Sequence, residues 1–329
     1  MTRRKFIALL GSAAMIWPSA AHAQRTRLYR IGHLAIAAPS DNPPPPPANW
    51  NSFVQGLQEA GYAEGKNVTF EHRSAHDRPE MFPQLATELA SLKVDVIFAR
   101  GTWALNAAKG ATSTIPIVGI DLEIDPVDAG LATSIARPGK NITGLFLDLS
   151  ELSGKHLQIL KEVVPGMSRV GILGDPTINA PQLRAVEQVA RSIAVQVRAL
   201  DMSKAADAAG AFEAAKDWRA DALIVLSNPL TLAFRALIAN LSEKAKLPTI
   251  HLYRAHVDAG GLISYGPDLS DMFRRCGGYV ARILGGAHPS NLPIERPARF
   301  ELAVNNRTAR ALGITLPETI LVRADEVIE

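Results

Sequence analysis

From Tyr29 onward the chain alternates short apolar runs with longer amphipathic stretches, and this alternation limits the possible folds more than any other feature. Ile31-Gly32-His33-Leu34-Ala35-Ile36 reads as a strand, and Trp50 to Ala60 as a helix closed by Gly61. Val68-Thr69-Phe70, Val94 to Ala99 and Ile117 to Ile120 read as further strands, with helices over Glu80 to Leu92 and Ala104 to Lys109. Apolar strands separated by helices build a parallel sheet covered on both faces.

The pattern then restarts. Arg30-Ile31-Gly32 is echoed by Arg169-Val170-Gly171, each opening an apolar strand. Asp95 in Val94-Asp95-Val96-Ile97 is echoed by Asp221 in Ala220-Asp221-Ala222-Leu223, and Ile115-Pro116 by Leu247-Pro248. Three echoes in the same order predict an α/β protein of two doubly wound parallel-sheet lobes. Asp125-Pro126, Asp175-Pro176 and Asn228-Pro229 each follow a predicted strand and precede a helical stretch. Asx before proline is a helix start. Such turns lie at the carboxyl ends of parallel strands, the edge where open α/β sheets bind ligands. Capping alone also explains each turn.

The start of the chain has the form of an export signal. Arg3, Arg4 and Lys5 precede the apolar run Phe6 to Trp17; Pro18 breaks it, and Ala21-His22-Ala23 offers small residues for cleavage before Gln24. Residues 1–23 are therefore expected to be a signal peptide, by the Sec or the twin-arginine route, and the mature protein periplasmic. The apolar run is shorter than the ~20 residues that span a bilayer. Those three basic residues also supply the net charge of +3. The remainder is balanced, which gives no general reason to bind nucleic acid or anionic membrane.

Recognisable catalytic chemistry is missing. There is no phosphate-binding Gly-x-x-x-x-Gly-Lys-Ser/Thr loop, no Gly-x-Gly-x-x-Gly after the first strand and no Gly-x-Ser-x-Gly elbow. The single Cys276 rules out an internal disulfide and a Cys-ligated zinc, and reads as a structural thiol within a helix. His72 and His76 sit in a polar connection rather than on a zinc helix. No cofactor and no metal are expected. Pro43 to Pro47 reads as a polyproline II loop at the mouth of a cleft.

Phe53-Val54-Gln55-Gly56-Leu57-Gln58-Glu59-Ala60-Gly61-Tyr62, Arg137-Pro138-Gly139-Lys140-Asn141-Ile142-Thr143-Gly144 and Ala259-Gly260-Gly261-Leu262-Ile263-Ser264-Tyr265-Gly266 carry a resemblance, as does the tail from Phe300-Glu301-Leu302-Ala303-Val304-Asn305 to Arg323-Ala324-Asp325-Glu326-Val327-Ile328. With these segments the chain resembles the ABC-transporter substrate-binding proteins of the type I periplasmic-binding fold, the group that includes tryptophan- and tyrosine-uptake proteins. The resemblance implies two lobes joined by a three-segment hinge, with crossings near Asn141–Leu147, Arg254–Gly261 and Pro293–Ala303. Residues 24–143 with 258–295 would form lobe one, and 144–257 with 296–329 lobe two. It implies a monomer that carries a small, amino-acid-like ligand to an ABC-transporter membrane permease. The pentaproline run and Arg254-Ala255-His256 depart from relatives beside the cleft, so ligand identity is not inherited.

A zwitterion needs an acid for its ammonium, donors for its carboxylate and walls for its side chain. On lobe one the candidates are Thr102 (hydroxyl), Trp103 (stacking face, or else a core anchor), and Asp121 and Asp125 (ammonium acceptors, Asp125 also an N-cap). On lobe two they are Asp175, Asn179, Asn228 and Tyr253. An exported α/β enzyme acting on a small metabolite, and a sensor that binds without transport, share the architecture. A transcription regulator would need a DNA-binding helix-turn-helix where this chain carries its signal.

Overall fold

The first apolar run forms β1 (Tyr29–Ala35) in the computed structural model, which describes residues 27–36, 47–76, 78–147 and 149–329. The expected leader, and all but the last residue of the Pro43–Pro47 run, lie outside the described residues. With β1, the strands β2 (Val68–Ser74), β3 (Val96–Arg100), β4 (Ile117–Asp121) and β5 (Ile142–Phe146) make a parallel five-stranded sheet in the order β2-β1-β3-β4-β5. Helix α1 (Pro47–Glu59) lies on one face, and α2 (Phe82–Ser91) and α3 (Thr102–Ala111) on the other. Each strand feeds both cores in alternation: Val96 and Phe98 face α1, while Ile97 and Ala99 face α2 and α3.

The second half repeats the plan. Strands β6 (Arg169–Gly174), β7 (Gln196–Asp201), β8 (Ala222–Val225), β9 (Thr249–His251), β10 (Ile263–Pro267), β11 (Phe300–Asn305) and β12 (Glu326–Ile328) form a sheet ordered β12-β11-β10-β9-β8-β6-β7. Helices α4 (Leu149–Val163) and α5 (Ala180–Ser192) pack on one face, α6 (Asp207–Asp217) on the other. Short α7 (Pro229–Ala233) leads into α8 (Arg235–Ala245), beside α6, and α9 (Arg254–Asp258) follows β9. Helix α10 (Leu269–Leu284) returns to the first sheet and packs along α1, whereas α11 (Asn306–Leu312) and α12 (Glu318–Leu321) finish the second lobe.

The sequence echoes are repeated pieces of bonding. Asp95 accepts from the Arg30 amide (2.8 Å) and donates its own amide to the Arg30 carbonyl (2.8 Å). Asp221 does the same with Arg169 (2.9 and 2.8 Å). The proline carbonyls match too: Pro116 accepts from Ile97 (2.9 Å) and Pro248 from Leu223 (2.8 Å). Asp325 and Leu302 form a third copy, 2.8 Å each way, at the β11–β12 edge. In each, an aspartate beside a strand start receives a backbone N–H that the ladder would leave unpaired.

Two expectations need correction. Strand β10 pairs with β9 and β11, so residues 258–267 belong to the second lobe, not to lobe one. The second crossing therefore falls between Pro267 and Leu269, after the Arg254–Gly261 turn, because the Ala-Gly-Gly segment leads into another strand. The first lobe likewise keeps its strand to Phe146 rather than ending at 143. The second sheet also carries one antiparallel pair, β11 running against β10. Strand β10 exits at the carboxyl edge, α10 visits the first lobe, and the returning chain enters β11 from that same edge.

Candidate functional site

The carboxyl edges of the two sheets carry the chain crossings, and the loops leaving β3, β4, β8 and β9 build a site there. After β3, Gly101 (φ 83°) turns the chain abruptly into α3, a conformation that L side chains resist. That turn sets the Thr102 hydroxyl on the next loop, where it donates to Asp121 Oδ2 (2.7 Å). Asp121 Oδ1 accepts from the amides of Glu123 (2.7 Å) and Ile124 (3.1 Å). Asp121 is 1% exposed. Burial pushes its pKa up, and the bonds from Glu123, Thr102 and Ile124 oppose the shift. Asp121 is thus the organiser of the β4 turn.

Sequence reasoning missed Glu123. It is exposed, yet protein around it and the Asp121 charge push its carboxyl up to about 7, with the Thr102 side chain acting the other way. Leu122, just before it, shares one core cluster with Leu252 of the second lobe, so this loop borders the recess between the lobes. Tyr253, at the start of α9 in the second lobe, packs against the same cluster as Leu122 and Leu147 of the first. Burial chiefly, then the charges of Glu123 and Asp121, raise the Tyr253 phenol, which also bonds the Ser227 side chain. One acidic loop of the first lobe therefore lies against the end of β9 in the second.

The other expected residues divide. Trp103 keeps 45% of its surface exposed, which excludes the core-anchor role and leaves a free aromatic face beside Thr102. Asp125 caps a turn rather than a helix: its Oδ1 accepts from Val127 (2.7 Å) and Asp128 (3.0 Å). Asp175 does likewise with Thr177 (2.8 Å) and Ile178 (3.2 Å), and helix α5 begins only at Ala180. Burial works against ionisation of Asp175, but those bonds outweigh it and its pKa is lowered. Asn179 and Asn228 are both buried and bonded to one another, Nδ2 of Asn228 to Oδ1 of Asn179 at 2.7 Å. Asn179 also donates to the Ser227 carbonyl, and Asn228 closes a capping box with Thr231. These two amides hold the second-lobe loops together rather than pointing into the recess. The structure brings together Thr102, Asp121 and Tyr253 and adds Glu123 and Ser227. The signal for Glu123 was slight, a second acid two residues after Asp121.

Comparison with known proteins identifies the family. The sequence profile described as "ABC transporter substrate binding protein" matches residues 46–328. The chain belongs to that family. A tyrosine-binding protein of Clostridioides difficile (strain R20291) is 25% identical over 264 residues, 80% of this chain and 75% of that protein. A conserved domain protein from Vibrio cholerae superposes with a TM-score of 0.81 at 28% identity, covering 92% of this chain and all of the other. An ABC domain from Streptococcus pneumoniae, solved with L-Trp, superposes at 0.79 with 21% identity and the same coverage. Members of the ABC substrate-binding family present two such lobes, and here the recess lies where the lobes' strand ends meet.

Proposed function

We propose that this substrate-binding protein is an exported, monomeric carrier that captures an amino-acid-like zwitterion between its lobes and passes it to an ABC-transporter permease without altering it. The observation that carries this reading is the facing of Glu123, Thr102 and Asp121 from the first lobe by Tyr253 and Ser227 from the second. An accessible acid suits an ammonium, and hydroxyls and an aromatic face suit the rest of such a ligand. The names of two relatives, one tyrosine-binding and one solved with L-Trp, support an aromatic amino acid as the first ligand to try. Export is supported by the signal-like residues 1–23, and mature protein is expected to begin at Gln24 in the periplasmic fraction. Isothermal titration with L-tyrosine and L-tryptophan, followed by mass analysis of the recovered ligand, tests the reading. One-to-one binding with ligand recovered intact is expected. Absence of binding across all proteinogenic amino acids would remove the amino-acid class, and a converted product would make the protein an enzyme.

A further inference from the structure

Arg100 closes β3, half-buried, and its guanidinium makes no hydrogen bond and no ion pair among the described residues. Other arginines of the first lobe find carboxylates: Arg73 bonds Glu88, Arg274 bonds Asp271 and Arg275 bonds Glu295. Arg100 instead lies over the Phe273 ring of α10, its Cζ 4.7 Å from the centroid. Enough protein surrounds it for burial to lower its pKa to about 10. Among the described residues, the titratable neighbours that sense its charge are Cys276 and His33. Burial raises the Cys276 thiol, and burial together with Arg100 and His72 holds His33 neutral.

His33 supplies an independent sign. It is fully buried, its Nδ1 lies 3.0 Å from His72 Nδ1, and its Nε2 has no partner. Strand β1 lies between β2 and β3, and His33 is in register with His72 on one side and Phe98 on the other. The two ring nitrogens diverge, so a ring whose Nδ1 addresses β2 turns Nε2 towards β3, where Arg100 follows Phe98 by two residues on the same face. An unpaired cation and an unpaired imidazole nitrogen held together within protein are both unfavourable in the empty molecule. Such groups persist where a ligand completes them. A guanidinium held over the Phe273 ring keeps a fork of N–H donors, which suits a carboxylate taken bidentately.

We propose that Arg100, stacked on Phe273 with His33 behind it, is an anion subsite of the interlobe recess that holds a carboxylate of the ligand. This rests on the preceding reading only in taking the recess as the binding site, and it adds the acid group that the ligand must carry. Arg100 is in register with Ile120, three residues before Glu123, so the anion and ammonium points occupy neighbouring strand ends.

The test compares the full-length mature protein with Arg100→Met, which keeps much of the stem and removes the charge. The probes are L-tyrosine, tyramine (no carboxylate), 3-(4-hydroxyphenyl)propanoate (no amine) and benzoate. Arg100→Met is expected to weaken both tyrosine and the propanoate by about 30-fold or more and to leave tyramine unchanged. It is also expected to raise the melting temperature of ligand-free protein, because an uncompensated cation has gone. Benzoate at tens of millimolar is expected to raise the melting temperature of the parent and not of the variant. If the three phenolic probes fail while the benzoate effect is present and lost in the variant, the amino-acid reading falls and the anion subsite stands. The subsite is overturned if Arg100→Met melts lower than the parent, if it weakens tyramine as much as tyrosine, or if benzoate shifts neither protein or both alike.

Discussion

Glu123 and Asp125 separate binding from structure at the level of single residues. Asp125 holds its turn through one carboxylate oxygen, and Asn caps about as well as Asp. Asp125→Asn is therefore expected to leave both melting temperature and L-tyrosine affinity nearly unchanged. Glu123→Gln keeps the shape but removes the accessible acid. A loss of about 1.5–3 kcal/mol in L-tyrosine binding is expected, the range for a hydrogen bond to a charged group, with calorimetry as the measurement. Should Asp125→Asn weaken binding and Glu123→Gln not, the ammonium is held one turn further on. Protonation gives a second signature. The Glu123 carboxyl, ordinarily near 4.5, is raised to about 7 by desolvation from the protein around it and then by Asp121. Between those values the folded protein holds a proton that the unfolded chain has released, so this group's contribution to stability falls as pH rises from 4.5 to 7. Affinity for an ammonium-bearing ligand moves the other way, strengthening as pH rises through 7. Melting curves and titrations from pH 5 to 8 are expected to lose both dependences in Glu123→Gln.

Among the elements, the crossing of α1 and α10 is set by two glycines. A Cβ on Gly56 would enter the Arg274 carbonyl, and one on Gly277 would enter the Phe53 carbonyl. Backbone cannot move aside as a side chain can, so either glycine changed to alanine must push the helices apart. Each is expected to destabilise by about 3 kcal/mol, the upper end for overpacking. Gly278, the next residue, has open space around its Cβ position. Gly278→Ala is expected to be neutral or to stabilise by up to about 1 kcal/mol, since glycine disfavours a helix interior. Urea unfolding of the three variants decides whether close approach, and not helix propensity, governs the pair. The aspartates repeated in both lobes belong to this scale too. Asp221 accepts from the Ser168 and Arg169 amides, which hold its pKa down against the effect of burial. Asp221→Ala leaves those donors without their acceptor, and a loss of about 1–3 kcal/mol is expected at pH 7. The same change at Asp95, which serves one backbone amide and the Arg27 side chain, is expected to cost less.

For the whole molecule, function depends on two lobes that meet over a ligand. Binding drives closure only to the extent that the ligand prefers the closed form. Small-angle scattering is expected to show contraction when saturating L-tyrosine is added, and an unchanged radius of gyration with bound ligand would argue against hinge closure. The doubly wound plan of both lobes was legible in the sequence, because buried strands must be apolar and the repeat echoes mark backbone bonds made within a lobe. Thr102, Asp121 and Tyr253 could be named from the sequence as site candidates, as polar residues just past apolar runs. Other features could not be read along the chain. Asp95 and Asp221 reveal themselves by recurring, but nothing local says that Asn179 and Asn228 bond each other across two loops, or that Arg100 has no counter-charge among the described residues. The second crossing was misplaced for a related reason, since β10 looks like any strand and only its pairing with β9 and β11 assigns it to a lobe. Period, capping and strand ends are short-range properties, set by neighbours within a turn or two, and these the sequence determines by itself. Pairing of charges, satisfaction of buried amides and the facing of Glu123 by Tyr253 join residues far apart in the chain, and only the tertiary structure decides which of them meet.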